Sequence, residues 1–462
     1  MTRTTRVART ALAIATACAL AAPALAQEKV TVWFTKGFYK AEDDALYEVI
    51  KKYEAKNPGV KVDLSLYGTE DCNTKSVGAV DSGTPPDVGF CTTYDFRVTG
   101  KWAYEGKLED VTDIIAPLSD KFLPTTTSTT YLYNDKAKRK AYYAMPIQRQ
   151  TMHFNYWKDM LEEAGFKENQ IPNTWNEFWG FWCDKVQPAY RKKTGKRIFA
   201  IGHPMGVAAS DTFYSFLTFA AAHNAQIVDE NGKIVLDQPK NRQAMINAVR
   251  DYSSIAEKGC TPPSSVNWLD PDNNVAFHNK QTIATHNATI SIAAKWLDDA
   301  KNQSLTAEQR AQADKNYKEN VRTIGFPKKP DGSTMTHLVA VKTAVVFAEG
   351  KNKRRGKEFL AFLMQDENLT PFVEGSLGRW YPVTKSGATR PFWTDGTDFH
   401  RAKVYGQFNE YTQPFQFVYN YKFTIVNSEN VWAKAIQRVV NDKVKPEQAT
   451  DEMIARIKQL AG

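Results

Sequence analysis

The sequence of 462 residues lacks the features of several common classes of protein. Its lysines and arginines form no long block, so nothing indicates a surface for nucleic acid. Its apolar runs, residues 11–22 and residues 213–222, are too short to cross a bilayer as helices. The cysteine spacings match no zinc-binding pattern. We therefore expect no nucleic-acid partner, no membrane span and no metal or other cofactor.

Motifs of common enzymes are also missing. The chain has no Gly-x-Ser-x-Gly, no His-Glu-x-x-His, no phosphate-binding loop and no Gly-x-Gly-x-x-Gly. Hydrolysis needs two carboxylates set across the scissile bond, or a nucleophile with its base. The sequence thus predicts a protein that binds a ligand without transforming it. An exported carbohydrate-active enzyme is the alternative of another class.

Residues 1–26 are predicted to be a secretory signal peptide. Three arginines at positions 3, 6 and 9 precede the apolar run, and Ala24-Leu25-Ala26 forms a cleavage site before Gln27. Cys18 raises the alternative of a lipoprotein, but the residues before it lack the usual leucine three positions upstream. Cleavage removes three positive charges and no negative ones, so the formal net charge falls from +9 to +6. We expect an exported, periplasmic protein.

The length of the mature chain predicts two lobes. A composition of 42% hydrophobic and 24% charged residues is that of an ordinary globular protein. The chain is about twice as long as one hydrophobic core usually supports.

The four cysteines that remain after cleavage allow two disulfides in three connectivities. Cys91 ends an apolar strand at residues 88–90, and Cys72 lies just past a strand at residues 61–67. Neighbouring parallel strands would bring these two ends together, which favours Cys72 with Cys91 and leaves Cys183 for Cys260. Four free thiols are the alternative.

Strands and helices alternate along the chain, which indicates an α/β fold. Residues 30–34 read as a strand, residues 43–55 as an amphipathic helix and residues 60–67 as the next strand. Farther on, Thr174 and Glu177 have the spacing of a helix capping box. Parallel α/β units bind ligands where the carboxyl ends of their strands meet.

Eight short motifs in a fixed order resemble those of the extracellular solute-binding proteins of bacterial ABC importers, in the carbohydrate-binding family that includes the maltose-binding proteins. Each motif is weak alone, but their order covers nearly the whole mature chain. The motifs begin with Ser82-Gly83-Thr84-Pro85-Pro86-Asp87-Val88, continue through Gly106 to Thr112, Met145-Pro146, Glu163 to Phe166 and Pro172 to Phe178, and close with Ala276 to Lys280, Ile324 to Pro327 and Gly356 to Leu363.

The resemblance implies a two-lobe clamshell of type II, in which the chain crosses between lobes near residues 147–150, 324–328 and 378–383. Lobe one would comprise residues 28–147 plus 328–379, and lobe two residues 148–327 plus 380–462. A monomer would capture a sugar or small oligosaccharide by hinge closure and deliver it to a membrane permease.

Sugar binding requires aromatic platforms and planar polar groups, and the predicted cleft loops supply both. The resemblance singles out Asp95 as an acceptor for paired hydroxyls. Trp380 and Tyr381 could instead pack the hinge, and Arg149 and Arg379 could hold it through acidic neighbours. The predicted ligand-binding residues are Lys36, Phe38, Tyr39, Tyr94, Asp95, Gln148, Arg149, Trp268, His286, Asn287, Arg379, Trp380 and Tyr381.

The sequence departs from the family at residues 285–289, where many members carry a glycine closely followed by a stacking tryptophan. This absence argues against a long oligosaccharide. With Lys36, Arg149, Arg379 and His286 possible in one cleft, a polyol, a sugar acid or glycerol phosphate is the rival ligand.

Overall fold

The computed structural model describes residues 27–462, so the predicted signal peptide and Cys18 lie outside the described residues. The strands are β1 Glu28–Thr35, β2 Val60–Tyr67, β3 Val88–Phe90, β4 Tyr131–Asn134, β5 Arg139–Tyr142, β6 Met145–Gln150, β7 His153–Trp157, β8 Phe199–Gly202, β9 Thr282–Asn287, β10 Val321–Ile324, β11 His337–Val346 and β12 Thr412–Pro414.

The α-helices cover the sheets. They are α1 Lys40–Lys56, α2 Thr69–Asp81, α3 Tyr94–Arg97, α4 Thr99–Tyr104, α5 Thr112–Ile115, α6 Lys158–Glu163, α7 Trp175–Gly180, α8 Gln187–Thr194, α9 Ser210–Ala222, α10 Pro239–Glu257, α11 Asp272–His278, α12 Ser291–Lys301, α13 Ala307–Lys315, α14 Lys353–Leu363, α15 Asp366–Gly375, α16 Lys385–Ala388, α17 Pro391–Thr394, α18 Phe399–Asn409, α19 Phe423–Glu429, α20 Val431–Val440 and α21 Pro446–Ala461.

The first sheet has the strand order β12-β11-β3-β1-β2, and β6 also pairs with β11. β1 is parallel to β2 and β3, whereas β11 is antiparallel to β3 and β6. Helix α1 packs on this sheet through Leu46, Val49, Ile50 and Tyr53, which are all buried. Their spacing is that of one helix face, and each such side chain contributes about 1.5–3 kcal/mol when fully buried.

The second sheet has the order β10-β7-β9-β8, and helices α7 to α10 share its hydrophobic core. β6 ends at Gln150 in the first sheet and β7 begins at His153 in the second, so the chain changes sheet within two residues. It returns between Ile324, the end of β10, and His337, the start of β11. We call the parts built on these sheets the first lobe and the second lobe. Strand β12 and the start of β11 pair with each other, and Leu338 and Phe415 beside them pack in the core of the second lobe.

The two disulfides have the predicted pairing. Cys72 of α2 bonds Cys91 at the end of β3, with Cα atoms 5.8 Å apart. Cys183 bonds Cys260 in the second lobe, with Cα atoms 5.2 Å apart. Both distances lie in the usual range for disulfides.

The predicted capping box at Thr174 is wrong. Thr174 does occupy the N-cap position of α7, but its side chain accepts no hydrogen bond from the backbone. Its hydroxyl instead donates to Glu177 Oε2, at 2.5 Å. Because the two side chains bond each other, neither satisfies a free N–H group of the first turn.

Among residues 27–462, no helix combines the length and the apolar composition needed to cross a membrane. The same part of the chain contains no cluster of three or more His, Cys, Asp or Glu side chains that could hold a metal ion.

Candidate functional site

A pocket lies between the two lobes, at the carboxyl ends of β3 and β9. It contains about 340 Å³ of space not filled by protein atoms, part of it open to solvent. Strand ends of parallel units meet here, as expected for a ligand site in an α/β protein. Its walls are formed by Phe38, Thr69, Thr92, Gln150, Ser210, Asp211, Tyr214, Asp270, Asn287, Ala288, Thr289, Lys342, Arg379 and Trp380.

Arg379 forms one wall of the pocket, between two aromatic rings. Its guanidinium carbon lies 3.9 Å from the centre of the Phe38 ring and 4.6 Å from that of Trp380. Its Nη1 donates to Glu42 Oε2 at 2.6 Å. Glu42 also accepts hydrogen bonds from the Phe38 backbone N–H and the Trp380 indole N–H. Burial raises the pKa of Glu42, and the charge of Arg379 opposes that rise. The carboxylate therefore fixes the arginine and both rings in place.

Lys342 forms the opposite wall. Its side chain and that of Asp95 are 1% and 0% exposed, and its Nζ lies 3.2 Å from Asp95 Oδ1. The same nitrogen donates to the Tyr214 hydroxyl, at 2.5 Å, from the second lobe. Burial raises the pKa of Asp95 and lowers the pKa of Lys342, and the attraction between the two opposes both shifts. Lys342 thus joins an ion pair within one lobe to a hydrogen bond between lobes.

Carboxylates line the second-lobe side of the pocket. Asp270 accepts hydrogen bonds from the Ser210 hydroxyl at 2.5 Å and from the Asp211 backbone N–H at 3.0 Å. Its own backbone N–H donates to Glu70 Oε1 in the first lobe, at 3.4 Å. Burial, followed by the nearby charge of Asp270, raises the pKa of Asp211 and of Glu70. These oxygens are acceptors held at the pocket wall.

Helix α3 of the first lobe packs directly on the second lobe. Phe96 stacks on Phe213, with ring centres 4.5 Å apart. The backbone carbonyls of Phe96 and Arg97 accept hydrogen bonds from Asn427 Nδ2 at 3.1 Å and Ser428 Oγ at 2.8 Å. The lobes therefore contact each other beside the pocket.

Some of the predicted ligand-binding residues lie at this pocket, and Phe38, Asn287, Arg379 and Trp380 line it. An adjoining space of about 430 Å³, which shares Thr92, Arg379 and Trp380 with the pocket, is lined by Lys36 and Gln148. Asp95 contacts Lys342 behind the wall.

The remaining predicted residues do not line the pocket and lie in the first lobe, at a crossing between the lobes or in the second lobe. Tyr39 donates its hydroxyl to the Ser376 carbonyl. Tyr94 is fully buried, donates to Ser76 Oγ at 2.5 Å and packs on Trp102. Both hydroxyls have protein partners, and neither side chain lines the pocket.

Arg149 and Tyr381 pair with each other outside the pocket lining. Their backbones exchange hydrogen bonds of 2.8 and 2.9 Å, and Arg149 Nε donates to the Pro382 carbonyl at 3.1 Å. Tyr381 stacks on Phe408, with ring centres 4.1 Å apart. These contacts agree with the alternative that Arg149 and Tyr381 pack against the protein and do not contact the ligand.

His286 and Trp268 are the second-lobe residues placed elsewhere. His286 is fully buried between Ser215 Oγ, at 2.8 Å, and His203 Nδ1, at 2.6 Å. Burial lowers the pKa of His286 to about 3, so it is neutral and cannot attract an anion. The indole N–H of Trp268 donates to Ser264 Oγ within its own turn, at 3.2 Å.

The sequence analysis missed several residues of the site. Lys342 carried a detectable signal, because it is the lone charge within the apolar strand His337–Val346. Glu42 carried none, since an acidic residue in the first turn of a helix is ordinary at a surface. The other residues of the site outside the predicted set are Thr69, Glu70, Thr92, Gln150, Ser210, Asp211, Tyr214, Asp270, Ala288 and Thr289.

Comparisons with known proteins agree with this architecture. The arabinooligosaccharide-binding protein of Bacillus subtilis is 23% identical over 397 residues, which are 84% of this chain and 78% of that protein. The Thermotoga lettingae ABC transporter solute-binding protein, solved with alpha-D-tagatose, superposes with a TM-score of 0.75 at 18% identity and covers 94% of this chain and 100% of its own. Maltose-bound MalE3 of T. maritima superposes with a TM-score of 0.69 at 18% identity, covering 93% and 100%.

The two structural likenesses show a shared two-lobe α/β fold of the type II periplasmic binding proteins. A sequence model described as bacterial extracellular solute-binding protein matches residues 48–401, which is most of the chain. This chain belongs to the bacterial extracellular solute-binding protein family.

Proposed function

We propose that the protein captures a neutral, hydroxyl-rich solute, a sugar or a closely related polyol, between its lobes and delivers it to the permease of an ABC importer. One sequence relative is named for arabinooligosaccharide, and two proteins of this fold were solved with tagatose or maltose. We favour a neutral ligand because each positively charged side chain of the pocket wall is paired with an acidic one.

The two cations among the described residues of the pocket wall are both neutralised by acidic partners. Lys342 pairs with Asp95, and Arg379 pairs with Glu42. Arg149 and His286, which suggested an anionic ligand, lie away from the pocket. A sugar acid or glycerol phosphate in the pocket would lie beside Asp211 and Asp270, whereas Lys36 lines the adjoining space instead. This arrangement favours the neutral solute over the anionic alternatives.

The remaining wall suits a sugar. Asp211 and Asp270 can accept hydrogen bonds from hydroxyl groups, while Asn287 and Gln150 can both donate and accept. The rings of Phe38 and Trp380 supply apolar surface beside these polar groups. This mixture of a few oriented polar groups and aromatic surface is typical of small-molecule sites.

Binding would hold the lobes in the closed arrangement, which the permease can recognise. The proposal includes a periplasmic monomer that performs no catalysis. It keeps the predicted lobe boundaries, residues 28–147 plus 328–379 and residues 148–327 plus 380–462.

A thermal-shift screen tests the proposal. Neutral sugars and polyols should raise the melting temperature, and sugar acids and glycerol phosphate should not; at a hundredfold excess over Kd, binding stabilises by about 2.7 kcal/mol. Asp270→Asn should abolish the shift. Asp451→Asn, which removes an exposed carboxylate paired with Arg242 in the second lobe, should preserve it. Stabilisation by anions alone, or conversion of the sugar into product, would contradict the proposal.

A further inference from the structure

We propose that the pocket accepts a solute of one or two sugar rings and that an aromatic wall at one end excludes longer chains. This inference rests on the proposed function and names its substrate class. The wall, which we call the end wall, consists of Phe96, Phe213, Tyr214 and Lys342.

The end wall is built from both lobes and is almost completely buried. Tyr214 faces the pocket and bonds Lys342 across the gap between lobes. Behind it, the ring of Phe96 lies 5.2 Å from that of Tyr214 and stacks on Phe213 at 4.5 Å. Each of the four residues is at most 2% exposed. A chain of sugars that continued in this direction would meet packed side chains.

Backbone contacts anchor the end wall. The carbonyls of Phe96 and Arg97 accept hydrogen bonds from Asn427 and Ser428, and Arg97 Nη2 donates to the Ala208 carbonyl at 2.9 Å. A third sugar ring could pass only if these bonds and the aromatic stack were broken. Since buried donors and acceptors are expensive to leave unpaired, the wall resists displacement.

The lobes also meet on other sides of the pocket. The Asp270 N–H donates to Glu70, and the Ala41 N–H donates to Asp298 Oδ1 at 3.3 Å, in each case from one lobe to the other. The space not filled by protein atoms is small, about 340 Å³ even with the part open to solvent included. Arg379 and Trp380 line both this space and the adjoining one of about 430 Å³. Contacts on several sides and a small volume together favour a short ligand.

A length series on the wild-type protein tests the limit directly. Glucose and arabinose oligomers of one to five rings would be titrated by calorimetry into the full mature chain. We expect binding by one- or two-ring members of at least one series and at least a hundredfold weaker binding from three rings onwards. If three- and five-ring members bind as tightly as the shorter ones, the size limit is wrong while the proposed function survives. Failure of every member to bind, together with failure of every sugar and polyol in the thermal-shift screen, would overturn both.

Variants then locate the limit in the end wall. Tyr214→Ala should improve the affinity for three rings relative to that for one ring by tenfold or more, and Phe96→Leu should act in the same direction with less disturbance of the fold. Tyr421→Ala is the matched control, because Tyr421 stacks on Tyr104 at 4.0 Å between the lobes but does not line the pocket. An unchanged ratio in both wall variants, or an equal change in the control, would show that the end wall does not set the length.

Discussion

Replacing Lys342 by methionine should destabilise the protein in a way that depends strongly on pH. Methionine retains the apolar stem but leaves Asp95 without a cation, in a place where its side chain is 0% exposed. Breaking a buried ion pair by removing one partner usually costs about 3–5 kcal/mol, because the other charge stays buried. Asp95 can escape this cost only by taking up a proton.

The free energy needed to protonate Asp95 depends on the pH. For an aspartate with an ordinary pKa of about 3.9, it is about 1.36 kcal/mol for each pH unit above that value. The expected destabilisation of Lys342→Met is therefore about 4 kcal/mol at pH 7 and about 1.5 kcal/mol at pH 5. The destabilisation grows with pH because the pKa of Asp95 is higher in the folded variant than in the unfolded chain. The folded variant therefore loses stability as the pH rises above the pKa of an aspartate in the unfolded chain.

Asp95→Asn provides the mirror experiment. It leaves Lys342 buried without its carboxylate, and a lysine of ordinary pKa about 10.4 loses its proton more easily as the pH rises. The expected destabilisation is about 4.5 kcal/mol at pH 7 and about 2 kcal/mol at pH 9. Urea unfolding of both variants and of the wild type, followed by fluorescence between pH 5 and 9, measures the two opposite slopes.

Equal destabilisation at every pH in both variants, together with a ligand dissociation constant that does not depend on pH, would refute this reasoning. Because Tyr214 covers the pair from the other lobe, opening of the hinge can bring water to the remaining charge. The cost then appears in the dissociation constant of the ligand, with the same sign of pH dependence. The prediction therefore fails only if neither stability nor affinity shows the slopes.

Three further predictions concern crosslinks and buried carboxylates. Cys183→Ala with Cys260→Ala should lower the unfolding free energy by about 4.5 kcal/mol, because the bond closes a separation of 77 residues; an unchanged urea midpoint would contradict this. Burial and the charge of Asp270 in the other lobe raise the pKa of Glu70, so calorimetry should show ligand affinity rising as the pH falls towards the ordinary glutamate pKa of about 4.3, and Glu70→Gln should flatten that trend. Glu42→Gln should cost about 3–5 kcal/mol in urea unfolding, because Arg379 keeps its charge; a loss below about 1 kcal/mol would show that the ion pair is not needed.

Helices and strands could be predicted where apolar residues recur at the regular spacing of one buried face. Leu46, Val49, Ile50 and Tyr53 reveal the buried face of α1 because helix geometry places such residues in a row. The predicted disulfide pairing is correct, but the reason given for it is not. Strand β1 lies between β2 and β3, and Cys72 reaches Cys91 from helix α2. The capping box of Thr174 failed because the sequence spacing does not decide which of two polar partners a hydroxyl chooses.

In two predicted pairs of adjacent residues, one residue lines the pocket and its neighbour does not. Asn287 lines the pocket while the neighbouring His286 lies in the core of the second lobe. Trp380 likewise lines the pocket, whereas Tyr381 stacks on Phe408. Adjacent residues of an extended segment point to opposite sides, so a strand end identifies the region of a site before it identifies the side chain.

Sheet order supplies the information that sequence spacing lacks at Lys342. A lysine in a buried strand must have an acidic or polar partner, but Asp95 and Tyr214 are 247 and 128 residues away along the chain. In the structure β11 runs antiparallel to β3, with Val346 opposite Val88 and Val345 opposite Gly89. Continuing this register places Lys342 just beyond the carboxyl end of β3, where α3 begins with Asp95 as its second residue. The topology of the first sheet therefore brings the pair together, and closure of the second lobe adds the tyrosine.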